Sequence, residues 1–167
     1  LSEIFSDRLR EKIREKMGAT YSPDAINSAS RAFAGYGVMS AVIRADGDKA
    51  RQVASEAKAI ANELRTKGVT DDELKRAVAP AVTNVKEILR SNSYWLGTVL
   101  AGSSRHPEQL EWCRTILADY ESISAEEVSR MASEWLVNEH SAMILVLPEP
   151  DQPKDAEKSV KSTKKPV

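Results

Sequence analysis

The sequence predicts an α+β domain in which several helices pack on one face of a small mixed or antiparallel sheet. Three observations carry this expectation. Apolar residues recur at helical spacing in the opening segment and again from residue 53 to residue 135. Two strand-like runs lie between the first and second helical segments. A short apolar run, Ala142 to Leu147, closes the pattern ahead of Pro148.

Leu1, Phe5, Leu9, Ile13 and Met17 form one helical face with Ile4 beside them, and charged residues from Asp7 to Lys16 fill the other. Gly18 suits the C-terminal cap, where a left-handed backbone costs glycine least. Ala19 to Ala29 suits a strand, with Pro23 restricting it to an edge or a bulge. Ala32 to Arg44 suits a second strand, apolar on both faces at Ala41, Val42 and Ile43, and residues Asn27 to Arg31 supply the hairpin turn.

Asp46-Gly47-Asp48 is expected to cap the next helix, whose stripe is Val53, Ala57, Ile60, Ala61 and Leu64, with Gly68 as its stop. Thr70 and Glu73 have capping-box spacing and open another helix. Pro80 inside that helix predicts a kink, because proline removes one backbone donor. Tyr94, Trp95, Leu96, Val99 and Leu100 extend the pattern. Pro107 restarts a helix with Leu110, Cys113, Ile116 and Leu117 inward, and Ser124 with Glu127 caps the last one. Trp95, Trp112 and Trp135 have the spacing of packed helix residues and are expected in the core. Ala142 to Leu147 reads as a short buried strand.

These elements define one domain over 1–148. Residues 149–167 are rich in Lys, Ser and Pro, with Val160 and Val167 as their largest apolar side chains, so they are expected to be a disordered tail. Because the chain opens at Leu1 without Met or a signal-peptide pattern, it is expected to be a processed or cut piece of a longer protein.

Composition narrows the chemistry. The 167 residues carry 24 Lys+Arg against 25 Asp+Glu, a net charge of −1. That balance lacks the basic excess of a nucleic-acid binder. The longest apolar run is far short of the roughly 18 residues of a membrane helix. Cys113 is the single cysteine, which excludes an internal disulfide and thiolate metal clusters. The two histidines, His106 and His140, are too far apart for a close-spaced zinc motif. His106-Pro107-Glu108 matches half of a zinc deaminase signature, but the paired cysteines of the other half are missing.

One constellation can reach a substrate. Arg14 lies in the last turn of the first helix, Gly18 turns the chain, and Tyr21 falls near the start of the strand. Arginine is permanently charged and offers a fork of donors. Tyrosine keeps its hydroxyl proton at neutral pH. Together they can hold a carbonyl or an oxyanion at a site whose nucleophile lies elsewhere. Equally, Arg14 can be one more solvated charge and Tyr21 an edge-packing residue.

The segment Leu9 to Ser22, with its Arg, a Gly four residues on and a Tyr three further, resembles the C-terminal-half signature of the insulinase/pitrilysin family of zinc metallopeptidases. Asn92-Ser93-Tyr94-Trp95-Leu96 and the helix start at Ser124 also resemble its bacterial members. The resemblance covers about residues 1 to 148. It implies the repeated α+β domain of that family, here lacking its opening strands and so leaving an open sheet edge that invites self-association.

The same resemblance implies two halves closing around an unfolded peptide. The N-terminal half, or a partner subunit, would carry the His-x-x-Glu-His motif and the zinc. Arg14 and Tyr21 would contact the substrate carbonyl or oxyanion. Because this chain has no such motif, no cofactor is expected in it and it should be inactive alone. The alternatives are a family member that has lost catalysis and serves as a structural or peptide-binding subunit, and an α+β interaction module unrelated to proteolysis. Bacterial relatives point weakly to the periplasm. No nucleic acid and no membrane partner are expected.

Overall fold

The structure is a computed structural model that describes residues 1–16, 23–30, 32–33 and 35–148. The Gly18 cap, residues 19–22 of the first expected strand, Tyr21 and the tail from Glu149 lie outside the described residues.

The opening apolar stripe forms a helix as its spacing predicts, but in two parts: an α-helix, α1 (Ser2–Leu9), runs directly into a π-helix, π1 (Arg10–Lys16). The wider i→i+5 winding leaves both Leu9 and Ile13 with 0% exposure, while Lys12 still reaches an acceptor on another helix. Ser6, also fully buried, ties α1 to the sheet. Its hydroxyl accepts the Ala25 N–H at 2.7 Å and donates toward Asp24 Oδ1 at 3.2 Å. A buried hydroxyl satisfied in this way avoids the cost of an unpaired polar group.

Among the described residues the sheet has two antiparallel strands, β1 (Asp24–Ala29) and β2 (Gly37–Val42), in a register from Asp24 opposite Val42 to Ala29 opposite Gly37. Pro23, fully buried, stands just ahead of β1 rather than within it. The hairpin turn comes later than expected, because β1 keeps its ladder to Ala29. Between Ser30 and Tyr36 the chain is held by the Ser30 hydroxyl, which accepts the Phe33 N–H at 3.0 Å, and by the Ser30 N–H bonded to the Tyr36 carbonyl at 2.9 Å. Gly35 turns it with φ +74°, a conformation that favours glycine. Side chains alternate across the sheet. Ala25 and Met39 face the core under α1, whereas Ile26, Val38 and Val42 stay exposed on the other face. Helices therefore cover one side only.

Four longer helices follow: α2 (Ala50–Lys67), α3 (Asp71–Ile88), α5 (Gln109–Ser122) and α6 (Ala125–Trp135). A single turn, α4 (Asn92–Tyr94), and a π-helix, π2 (Trp95–Leu100), join α3 to α5. Both expected capping boxes form, at Thr70 with Glu73 and at Ser124 with Glu127. Asp46-Gly47-Asp48 instead makes a turn, closed by the Lys49 N–H on the Asp46 carbonyl, and α2 starts without a side-chain cap. Helix α3 continues through Pro80 to Ile88.

The main core joins Ile4, Phe5, Leu9 and Ile13 to Ala25 of β1, Val53, Ile60 and Leu64 of α2, and Val128 of α6. Two expectations about burial fail. Trp112 and Trp135 are 59% and 60% exposed and Trp95 is 36% exposed, so none of the three is a core residue. Their spacing marks a helix face, but no described element covers that face. Likewise residues 141–148 are extended without a ladder, and Ile144 and Val146 are 85% and 90% exposed. An apolar run becomes a buried strand only when a neighbour supplies hydrogen bonds and cover.

One charged network crosses this frame. The Arg8 guanidinium grips Glu73 with Nε and Nη2 at 2.7 and 3.0 Å, and Nη2 also donates to the Gly68 carbonyl at 2.8 Å. Glu73 is thus shared between its own capping box and α1. The hydrogen bonds from Arg8 hold its carboxyl at about 2, below the ordinary 4.5, against the opposing effect of burial, with the bonds from Thr70 helping to lower it.

Two outcomes follow from this frame. Gly68 has φ +73°, and a Cβ there would lie 2.5 Å from Ser129 Oγ, which itself accepts the Val69 N–H. Gly68→Ala should therefore destabilise the chain by about 1–3 kcal/mol, read as a lower denaturant midpoint at unchanged slope. Because the Glu73 acidity is greater folded than unfolded, its contribution is complete above pH 4.5 and is lost as pH falls toward 2. A Glu73→Gln variant should show a shallower loss of stability across that window in acid titrations of thermal unfolding.

Candidate functional site

The charged face of the first helical segment carries Arg8, Arg10, Lys12 and Arg14 two residues apart. Three of these cations are engaged. Arg8 is committed to Glu73 and the Gly68 carbonyl. Arg10 Nη1 meets Asp7 Oδ1 at 2.5 Å. Lys12 pairs with Glu63 of α2. Arg14 follows in π1, exposed, and its guanidinium has no acceptor among the described residues.

The local reason is geometric. Ile13 is drawn into the core cluster that also holds Ile60 and Leu64. Lys12 on one side of Ile13 is tied to α2, which leaves Arg14, on the other side, turned to solvent. A guanidinium that is fully charged, exposed and unpaired can accept a carbonyl or carboxylate without first breaking an internal bond. Tyr21, its expected companion, lies outside the described residues.

Other sequence candidates carry less. His106 Nδ1 lies 3.2 Å from Glu108 Oε1, a local contact ahead of α5. His140 is exposed in a short 3₁₀ turn, Asn138–His140. Among the described residues, no group of three or more His, Cys, Asp or Glu side chains is placed to hold a metal ion. Cys113 is buried, with its thiol 3.1 Å from the Leu110 carbonyl. A groove of about 640 Å³ opens between α1 and α3, walled by Ile4, Leu74, Ala77, Ala81, Ile123 and Val128 among others, and Arg14 is not part of it.

Sequence reasoning passed over Glu63 and Glu73 as partners of the first helix. They lie 51 and 65 residues from Lys12 and Arg8. The one local signal was the Glu63-to-Lys67 spacing, which suits a pair on one helix face.

Comparison with known proteins places this geometry in context. Residues 1–80 match the family described as Peptidase M16 inactive domain. The chain is 28% identical over 144 residues, 84% of its length, to the chloroplastic stromal processing peptidase of Pisum sativum. Its fold matches the periplasmic protease PqqL from Escherichia coli with a TM-score of 0.67 at 15% identity, over 80% of this chain. The chain spans 11% of the length of the first of these proteins and 14% of the second. Over residues 1–80, therefore, this chain is similar to the inactive domain of the M16 peptidases.

Proposed function

We propose that this chain is the non-catalytic half-domain of an M16 zinc endopeptidase, and that it presents Arg14 and Tyr21 to the backbone of a peptide enclosed between two halves. One observation supports this reading above the others. Arg14 is exposed and has no acceptor among the described residues, on a helical segment whose preceding cations are engaged, within the stretch that matches the M16 inactive domain. The residue types suit the task. A guanidinium fork and a phenol both donate, and donors aimed at a carbonyl oxygen stabilise the charge that develops there during attack.

The sequence has no His-x-x-Glu-His, so zinc and the general base belong to an N-terminal half or a partner subunit carrying that motif. When bound there, the zinc supplies the activated water. Residues of this chain position the peptide. A periplasmic setting agrees with the compartment of PqqL. The open sheet edge and the exposed run from Met143 to Leu147 also suit self-association of isolated chains.

In the native full-length protein, Tyr21→Phe should lower kcat on the order of 10²–10³-fold if its hydroxyl serves the oxyanion. An unchanged kcat with a raised KM would reassign Tyr21 to uniform substrate binding. Arg14→Ala should lower kcat/KM on the order of 10²-fold, and activity equal to the parent would remove Arg14 from the site. For the isolated chain, Ile144→Lys should shift sedimentation at high concentration toward monomer; association that survives it would rule out the apolar run.

A further inference from the structure

We propose that Glu63 on α2 is a positioning residue for Arg14, acting through Lys12 to set the direction in which π1 presents the guanidinium. This inference rests on the role given to Arg14 above. It extends the site to a helix that the matching motif does not include.

The argument starts from how π1 is held. π1 continues α1, whose Leu9 is already enclosed, so its course beyond Arg10 depends on the contacts that its own side chains make. Ile13 is the buried contact, fully enclosed in the cluster that contains Ile60 and Leu64. Lys12 to Glu63 is the second. Glu63 lies on the same face of α2 as Ile60, Leu64 and Lys67, so apolar and ionic contacts to π1 come from one helix surface. Glu63 is itself braced, since Lys67 Nζ donates to its other carboxylate oxygen at 2.8 Å. Both carboxylate oxygens are therefore used, one for each lysine. Hydrogen bonds from Lys12, then from Lys67, hold the carboxyl at about 2, so it stays charged across the neutral range.

Arg14 has no such tether. Among the described residues nothing but the backbone of π1 sets its direction, and that backbone is wound i→i+5 rather than i→i+4. Release of Lys12 would remove the ion pair that joins π1 to α2 and leave Ile13 packed there. The segment could then rewind toward the α form, which changes the angle between Ile13 and Arg14 about the helix axis. An error of about 1 Å in a substrate-positioning group can cost as much as 10²-fold in rate. A partial loss of tether should cost less, on the order of tenfold.

The test is a double-mutant cycle on kcat/KM in the native full-length protein, using Glu63→Gln, Arg14→Ala and the pair, with thermal midpoints recorded for each. We expect Glu63→Gln to lower kcat/KM on the order of tenfold when Arg14 is present, and by less than about twofold when Arg14 is already alanine. Lys12→Met, which leaves Glu63 paired with Lys67, should reproduce the loss and keeps the test open if Glu63→Gln folds poorly. Equal losses in both Arg14 backgrounds would mean that Glu63 only supports the fold, and would overturn the proposal. So would full activity in Glu63→Gln and Lys12→Met. If Arg14→Ala itself has no effect, the role of Arg14 falls first and the positioning role falls with it. That outcome differs from an active Arg14 that is indifferent to Glu63.

Discussion

The seating of the first helical segment against α2 and β1 is the constraint on which the rest of the molecule depends. Ile4, Phe5, Leu9 and Ile13 are nearly or fully enclosed, and they are the residues through which the sheet and α2 share one core. Burying each such side chain contributes about 1.5–3 kcal/mol relative to exposure. The two-stranded sheet has no comparable source of stability, because its second face is open and a lone hairpin is marginal in water. Ser6 makes the attachment directional: a fully enclosed hydroxyl bonded to the Ala25 N–H leaves β1 little freedom to slide along α1.

Electrostatics then sorts the cations of the first helical segment. Arg8 and Lys12 are spent on carboxylates brought from distant parts of the chain, and each also braces a second feature, the α3 capping box or the Glu63–Lys67 pair. Such partly buried pairs are better shielded from solvent than surface ion pairs, which contribute little. Arg14 is left outside this economy of charge. An exposed arginine with no acceptor among the described residues keeps its donor fork available to an incoming acceptor.

The candidate site was named from the sequence for local reasons. Arg14 could be singled out because it stands four residues before a glycine and seven before a tyrosine, a spacing that survives without any knowledge of neighbours. Its exposure was not readable, since a cation on a polar helix face looks the same in sequence whether it is paired or free. The anchoring roles of Glu63 and Glu73 were hidden for a related reason: each acts across more than 50 residues of chain. The π winding of residues 10–16 was equally hidden, because the apolar spacing of Leu9 and Ile13 suits an α-helix as well.

By itself the sequence determined what depends on near neighbours: the helical stripes, both capping boxes, the stop at Gly68, the hairpin and the absence of a zinc motif. These follow from backbone sterics and from side chains reaching three or four residues along the chain. Tertiary structure decided which apolar residues are enclosed, leaving Trp112, Trp135, Ile144 and Val146 open and closing over Ser6. It also decided that Arg8 and Lys12 find their carboxylates on other helices. Burial and ion pairing are set by what lies across the molecule, and apolar character records only a tendency to be covered, not the presence of a cover.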